Sequence, residues 1–359
     1  MNGIHISKRE DLPKKRETVI RILAVILSIV CAGLVIWILG YNPIRVFPSM
    51  ISGALGTEIR LQQTILKAIP LIVTSLGILV AFKMKFWNIG GEGQIIMGAL
   101  AASYVALNMD GLPKGILLSL MALAAMIAGG LWAFIPAFFK AKMGVNETIF
   151  TLMLNYIAIK YVTYLQYGPW KSPESQGFPK VATFSDNAVL PKLFGIHIGW
   201  LIALLLVVIV YIFINHTKKG FEISVVGESR ETARYAGMNI ATIILIAMFI
   251  SGGLCGLTGM IQASAVEKTL SANLSGGYGF TAIITAWLAR LNAIAVLFVC
   301  IAFAILLQGG AYIQISMQIP AAVADMMQGI ILFFVLGSEF FLQYKVNLAG
   351  SFRKAKEVA

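Results

Sequence analysis

Charge is scarce in this chain. Only 12% of its 359 residues are Asp, Glu, Lys or Arg, about half the share in a soluble globular domain. An ordinary water-facing surface is therefore excluded. Cysteine is rarer still: Cys31, Cys255 and Cys300 each lie inside an apolar run, which leaves no disulfide framework and no zinc cluster. The three histidines, His5, His197 and His216, all fall in predicted loops or tails. No G-x-x-x-x-G-K-[ST], no Rossmann spacing after a strand, no H-E-x-x-H and no G-x-S-x-G occurs, so the chain carries no nucleotide-hydrolysing or hydrolase machinery of its own. No catalytic residue, bound cofactor or metal is expected.

What is abundant is apolar. Hydrophobic residues make up 58% of the chain, mean hydropathy is +0.84, and 34 glycines and 15 methionines ride on that background. This composition suits closely packed membrane helices. A spanning helix needs about 20 mostly apolar residues, and the stretches 19–40, 64–82, 115–139, 148–167, 199–215, 240–261, 292–307 and 320–341 qualify. Two more, 86–107 and 278–288, are apolar but broken by glycine and polar residues. The expected fold is an all-α polytopic membrane protein of about ten transmembrane elements, two of them interrupted. A cytoplasmic leader (1–18) and tail (342–359) flank a transmembrane domain (19–341).

The net charge of +12 reads as the positive-inside bias of such a protein rather than as a nucleic-acid surface. Alternate threading from a cytoplasmic N-terminus puts 19 Lys and Arg inside and 8 outside, with Lys160 inside a span. The inner groups are the leader, Lys83 with Lys85, Lys140 with Lys142, the segment from Lys218 to Arg234, Arg290, and the C-terminal tail. Both termini come out cytoplasmic. One long outer loop (168–198) holds Pro169, Pro173, Pro179 and Pro191, and Trp37, Trp170 and Trp200 fall near the outer boundary, where aromatic belts sit.

The two interrupted stretches have related patterns. Trp87-Asn88-Ile89-Gly90-Gly91-Glu92-Gly93-Gln94 runs into one small-residue helix, and Ser275-Gly276-Gly277-Tyr278-Gly279-Phe280 into another. The threading enters the first from inside and the second from outside, the pattern of an inverted repeat whose broken helices flank a solute pathway. The alternative is that these glycines only permit close helix packing. Ionisable groups at membrane depth are costly and mark cavities or partners; Glu92, Glu147, Lys160 and Asp325 are the candidates. With the amides of Asn88, Gln94, Asn146, Asn155, Gln262 and Gln328 they suit a polar solute with hydroxyls and ring nitrogens better than a metal ion. The pathway set is Trp87, Asn88, Glu92, Gln94, Asn146, Glu147, Asn155, Tyr278 and Phe280. For Glu92 and Glu147, bracing of the broken helices stands as an equal reading.

The inner loop 216–239 has its own signals. Glu228 or Ser229 can cap a short helix and Gly237 is a natural terminator beyond it. Such a helix makes a rigid knob for a cytoplasmic partner.

The run Val226-Gly227-Glu228-Ser229-Arg230-Glu231-Thr232-Ala233-Arg234-Tyr235-Ala236-Gly237 resembles the G-E-N-x-x-A-A-R-Y-A-G coupling segment of ABC-importer permeases. These form the branched-chain amino acid, ribose and nucleoside permease superfamily. The segment from Trp87 to Gln94 resembles the F-N-I-G-x-E-G-Q of its nucleoside and simple-sugar branch. Asn146-Glu147-Thr148, continuing through Leu152-Met153-Leu154-Asn155-Tyr156-Ile157, is similar to N-E-x-I-x-T-L-M-L-N-Y-I, and Gly277-Tyr278-Gly279-Phe280 to G-Y-G-F. The family's A-L-L-G-R-x-N-P reads here Ala286-Trp287-Leu288-Ala289-Arg290-Leu291-Asn292-Ala293, so a bulkier, less sharply broken turn is expected there. The resemblance implies an inner-membrane permease subunit of a bacterial ABC importer for nucleosides. Its partners would be an ATPase subunit that uses the ATP, a homologous but different second permease, and an extracytoplasmic solute-binding protein. The implied coupling residues are Gly227, Glu228, Ala233, Arg234, Tyr235, Ala236 and Gly237. A sugar or flavin permease remains open, as does a proton-coupled secondary transporter that titrates Glu92, Glu147 or Asp325.

Overall fold

The computed structural model describes residues 5–8, 13–173, 175, 177 and 179–347. The predicted tail from residue 348 onward and leader residues 1–4 and 9–12 lie outside that set. In order, the elements are β1 (His5–Lys8), α1 (Lys14–Ile38), α2 (Pro43–Leu55), α3 (Glu58–Lys83), α4 (Gly91–Asn108), α5 (Lys114–Met143), α6 (Glu147–Tyr167), β2 (Lys192–Leu193), β3 (Ile196–His197), α7 (Gly199–His216), α8 (Lys218–Glu228), α9 (Arg230–Tyr235), α10 (Ile240–Ile261), α11 (Tyr278–Leu288), α12 (Ala293–Ser316), α13 (Ala321–Gln343) and β4 (Tyr344–Asn347).

Among the described residues seven helices are long and apolar enough to cross a membrane, or up to eight when the bent pair α1–α2 counts as one. That is fewer than the ten elements expected. The stretches read as interrupted became α4 and α11, and α11 has only 11 residues, too few to span. The chain is mostly helical, as expected; beside the helices β2 pairs with β3 and β1 with β4, both antiparallel.

Helix α2 was not foreseen. It turns by 116° from the apolar part of α1, starting where Asn42 accepts the Ile44 N–H at 3.0 Å and Pro43 takes the first helical position. Proline fits there because its missing N–H has no partner in that turn anyway. It buries Val46, Met50, Gly53 and Ala54 along one side, and its 13 residues fall below spanning length.

The chain divides into two compact units, Met1–Arg60 with Ile305–Ala359, and Leu61–Ala304. The first unit is made of both ends of the chain and the second of its middle. In the first, His5 lies opposite Asn347 and Lys8 opposite Tyr344, α1 packs along α13, and Ile36, Val46 and Met50 share a core with Ile313, Ala324 and Met327. The Arg60 guanidinium lies 4.3 Å over the Tyr312 ring.

In the second unit α4, α5 and α10 pack against one another. Gly98 of α4 and Gly129 of α5 both sit against Gly256 of α10, so closely that a β-carbon on either would enter the Gly256 backbone. Lipid gives no hydrophobic force between helices, and small residues that let backbones approach supply dispersion contact instead. Glycine packing, offered above as an alternative, is therefore present in this core. Helix α3 is buried almost throughout from Ala68 to Phe82.

Candidate functional site

The site grows from the stretch between α3 and α4. After Lys83 the backbone leaves the helix, passes through Lys85 in the left-handed region (φ 55°), and runs without helical bonding to Gly90. Such a run in a buried setting leaves backbone groups to be satisfied by neighbours. Asn88 begins this: its Oδ1 accepts from the Gly90 N–H at 3.0 Å and from Gln94 Nε2 at 2.9 Å. Its Nδ2 donates to Ser251 Oγ of α10 at 3.1 Å and to Gln94 Oε1 at 3.2 Å. Helix α6 supplies the rest. Thr151 Oγ1 accepts the Ile89 N–H at 3.2 Å, Asn155 Oδ1 accepts the Gly93 N–H at 2.8 Å, and Asn155 Nδ2 donates to the Ile89 carbonyl at 2.9 Å. Asn88, Gln94, Thr151 and Asn155 are all buried.

The N-terminus of α11 meets the N-terminus of α4 at this point. Gly277 (φ 79°) turns the chain into α11, and Gly279 packs on Gly91 and Glu92 so tightly that a β-carbon at Gly279 would enter the Glu92 backbone nitrogen. Each helix start presents unpaired N–H groups and a partial positive charge. Glu92, itself in the first turn of α4, closes the junction: its Oε1 accepts the Gly279 N–H at 2.9 Å, with Ser275 and the Phe280 N–H as further donors. One buried carboxylate serves both positive ends.

Beside the junction lies an aromatic cluster that the sequence did not disclose. Trp87 and Trp287 stack with centroids 5.5 Å apart and planes 28° apart, and Phe82 tilts against them at 5.4 and 5.9 Å. With Lys83, Lys85, Ser224, Gly227, Glu228 and Leu291 they line a cavity of about 430 Å³. Three segments that the charge threading assigns to the inner side thus surround one space.

The coupling segment is two helices rather than one. Helix α8 was read as loop, yet Thr217 caps it by accepting the Gly220 N–H at 3.1 Å. Ser229 then caps α9, accepting the Thr232 N–H at 3.2 Å, and Gly237 ends it at φ 71°, as the capping pattern predicts. Ala233 is fully buried, whereas Glu228, Arg234, Ala236 and Gly237 are exposed and Tyr235 is 94% exposed. Gly227 is set against the Lys83 carbonyl so closely that a β-carbon there would enter it. The turn after α11 is sharp despite its lost glycine and proline: Arg290 and Leu291 adopt left-handed backbone (φ 50° and 54°), and Asn292 caps α12 through the Ile294 N–H at 2.9 Å.

Of the pathway set, Asn88, Glu92, Gln94 and Asn155 converge, Trp87 lines the cavity, Tyr278 opens α11, and Phe280 is exposed on it. Asn146 instead caps α6, accepting the Thr148 N–H at 3.0 Å, and Glu147 points at Lys140, 2.7 Å away. Lys160 is exposed on α6, and Asp325 is exposed on α13, in the unit made of the chain ends. Sequence reasoning missed Thr151, Ser251, Phe82 and Trp287. Thr151 was findable, since 147, 151 and 155 recur every four residues along one helix face.

The chain is thus a polytopic helical protein with two helix starts joined in its buried interior and a capped short helix on one loop. Residues 60–336 match the family described as branched-chain amino acid transport system / permease component, and the chain belongs to that family. It is 36% identical to a glucose ABC transporter permease of Haloferax volcanii, over 91% of this chain and 89% of that one. It is 32% identical to a guanosine ABC transporter permease of Bacillus subtilis, over 88% and 92%, and 28% identical to a nucleoside ABC transporter permease of Lactococcus lactis, over 90% and 91%. This is an ABC transporter permease, a multi-pass transport subunit rather than an enzyme, and in this family ATP hydrolysis belongs to a separate chain.

Proposed function

We propose that this chain is one of two permease subunits of an ABC importer that carries a nucleoside inward across the cell membrane. The observation that carries the reading is the junction of α4 and α11 through Glu92 and Gly279. Paired helix starts at membrane depth, ringed by Asn88, Gln94 and Asn155, fit brief contact with a neutral, hydrogen-bonding solute. Affinity then resides in an extracytoplasmic binding protein. ATP-driven closure of the ATPase pair pushes on α9, Gly227 passes the movement to the end of α3, and the helix bundles rock about the junction. The lysine-bearing cavity faces the cytoplasm, and both chain ends lie on that side.

The relatives support a second, different permease. Similar chains come in twos from three organisms: two guanosine permeases of Bacillus subtilis, two nucleoside permeases of Lactococcus lactis, and a glucose permease and a putative glucose permease of Haloferax volcanii. In each pair this chain is more similar to one member, for example 36% against 27%. The glucose relative keeps a simple-sugar permease as the second reading, and a riboflavin permease of Treponema pallidum, 23% identical, adds a flavin.

The test is reconstitution of the chain with its ATPase, partner permease and binding protein in proteoliposomes, with labelled guanosine, glucose and riboflavin offered in parallel. ATP-dependent guanosine uptake is the expected result. Uptake of glucose or riboflavin alone would move the assignment to that substrate, and uptake driven by a proton gradient without ATP would overturn it.

A further inference from the structure

We infer that the cavity walled by Phe82, Trp87 and Trp287 is a binding site for a planar heteroaromatic ring of the purine type, distinct from the Glu92–Gly279 junction. The inference rests on the reading of the lysine end as cytoplasmic.

Three aromatic side chains meet there, yet Trp87 and Trp287 keep 45% and 38% of their surface exposed. Large rings held together but left uncovered offer a π-face to a ligand, and stacking on such a face accepts any flat base. The rim adds polarity of both signs. Lys83 ends α3, Lys85 follows it in the turn and Glu228 ends α8, all lining the same space. A purine presents ring nitrogens or a carbonyl as acceptors to ammonium groups, and N–H groups as donors to a carboxylate. A sugar offers the tryptophans C–H groups rather than a second π-face, and a lipid chain has no use for the charges.

Backbone strain points to the same place. Lys85 and Leu291 line the cavity in left-handed conformation, and Arg290 adjoins it in the same state. They are three of six non-glycine residues so strained among those described. Such conformations cost free energy, persist only where their surroundings fix them, and gather at ligand sites. The bound ring would touch both the end of α3 and, through Ser224, Gly227 and Glu228, the last turns of α8, so its occupancy is read directly by the coupling segment.

A nucleoside leaving the pathway and a cytoplasmic nucleotide share this ring. The test uses the assembled transporter in inside-out vesicles, photolabelled with 8-azidoguanosine and mapped by peptide, with guanosine, GMP and ribose as competitors. Label is expected on the peptides holding Trp87 or Trp287. Guanosine or GMP should displace it and ribose should not; stronger competition by GMP identifies a nucleotide, equal competition a nucleoside. Trp287→Leu should weaken labelling at least tenfold, while Trp170→Phe, in the Tyr104 stack, leaves it unchanged. Label elsewhere in the wild-type chain, displacement by ribose, or full labelling of an assembled Trp287→Leu variant would each overturn the site. If Trp287→Leu does not assemble, the wild-type label position and the competition decide. Failure of guanosine uptake in the reconstituted importer bears on the proposed cargo and not on this labelling, so the two readings fail separately.

Discussion

The carboxylate of Glu92 and the backbone N–H of Gly279 are 187 residues apart in sequence and 2.9 Å apart in space. Each belongs to the first turn of a helix that begins inside the protein, and the bond ties those two beginnings together. Replacement of Glu92 by Ala removes the acceptor from a buried helix start, and the loss of a cap of this kind costs about 1–3 kcal/mol. Glu92→Gln keeps an acceptor and should retain more of the stability. Thermal unfolding in detergent, with ATP-driven uptake alongside, should rank wild type above Glu92→Gln above Glu92→Ala. An alanine variant as stable as wild type would show that the bond does not hold the junction.

The two glycines at this contact should not be equivalent. A methyl group at Gly279 enters the Glu92 backbone nitrogen, whereas one at Gly91 lies 3.3 Å from the Gly279 Cα. Backbone must move in the first case and only a few tenths of an ångström are needed in the second. Gly279→Ala should abolish uptake at membrane levels where Gly91→Ala retains part of it. Equal activity of the two variants would count against the packing described.

Two residues of the coupling segment should separate docking from transmission. Tyr235 is almost fully exposed, so Tyr235→Ala should leave the permease as stable as wild type yet lower recovery of the ATPase on co-purification several-fold. Gly227 is buried against the Lys83 carbonyl, so Gly227→Ala should retain the ATPase and lose most uptake by prising α8 from α3. Identical phenotypes in the two variants would contradict the division.

His197 in the outer hairpin predicts a pH dependence. Burial, with the charge of Lys192 adding to it, pushes its imidazole down from 6.5 to about 4. Its Nδ1 accepts the Gly199 N–H at 3.2 Å, so the folded state holds the neutral ring. Below 6.5 the unfolded chain takes up a proton that the folded chain refuses until about pH 4. Stability is therefore full above 6.5 and falls across that window, by up to about 3 kcal/mol. Melting temperature measured from pH 7.5 to 4.5 should drop in wild type and flatten in His197→Asn, which keeps an acceptor without the titration.

What the sequence disclosed and what it withheld divide along physical lines. Caps and terminators act within a few residues, and Ser229 and Gly237 declared α9 from their own positions. The glycine runs declared the two interrupted helices because backbone freedom is a local property. The stack of Trp87 on Trp287 depends on a pairing across 200 residues of chain, for which no local pattern exists. Helix α2 escaped because a span test sees length and hydropathy, whereas this helix has only 13 residues. Glu147 looked like a pathway acid because membrane depth makes every carboxylate suspect; its partner Lys140 lies across the turn at Gly144, on the preceding helix.

The unit that contains α1 also contains α13, and this sets an order of events during synthesis. Helix α1 leaves the ribosome long before its packing partner α13. Until residues beyond 305 emerge, Ile36, Val46 and Met50 have no Ile313, Ala324 or Met327 to pack against. The unit that holds α1 and α13 therefore closes later than the unit made of residues 61–304.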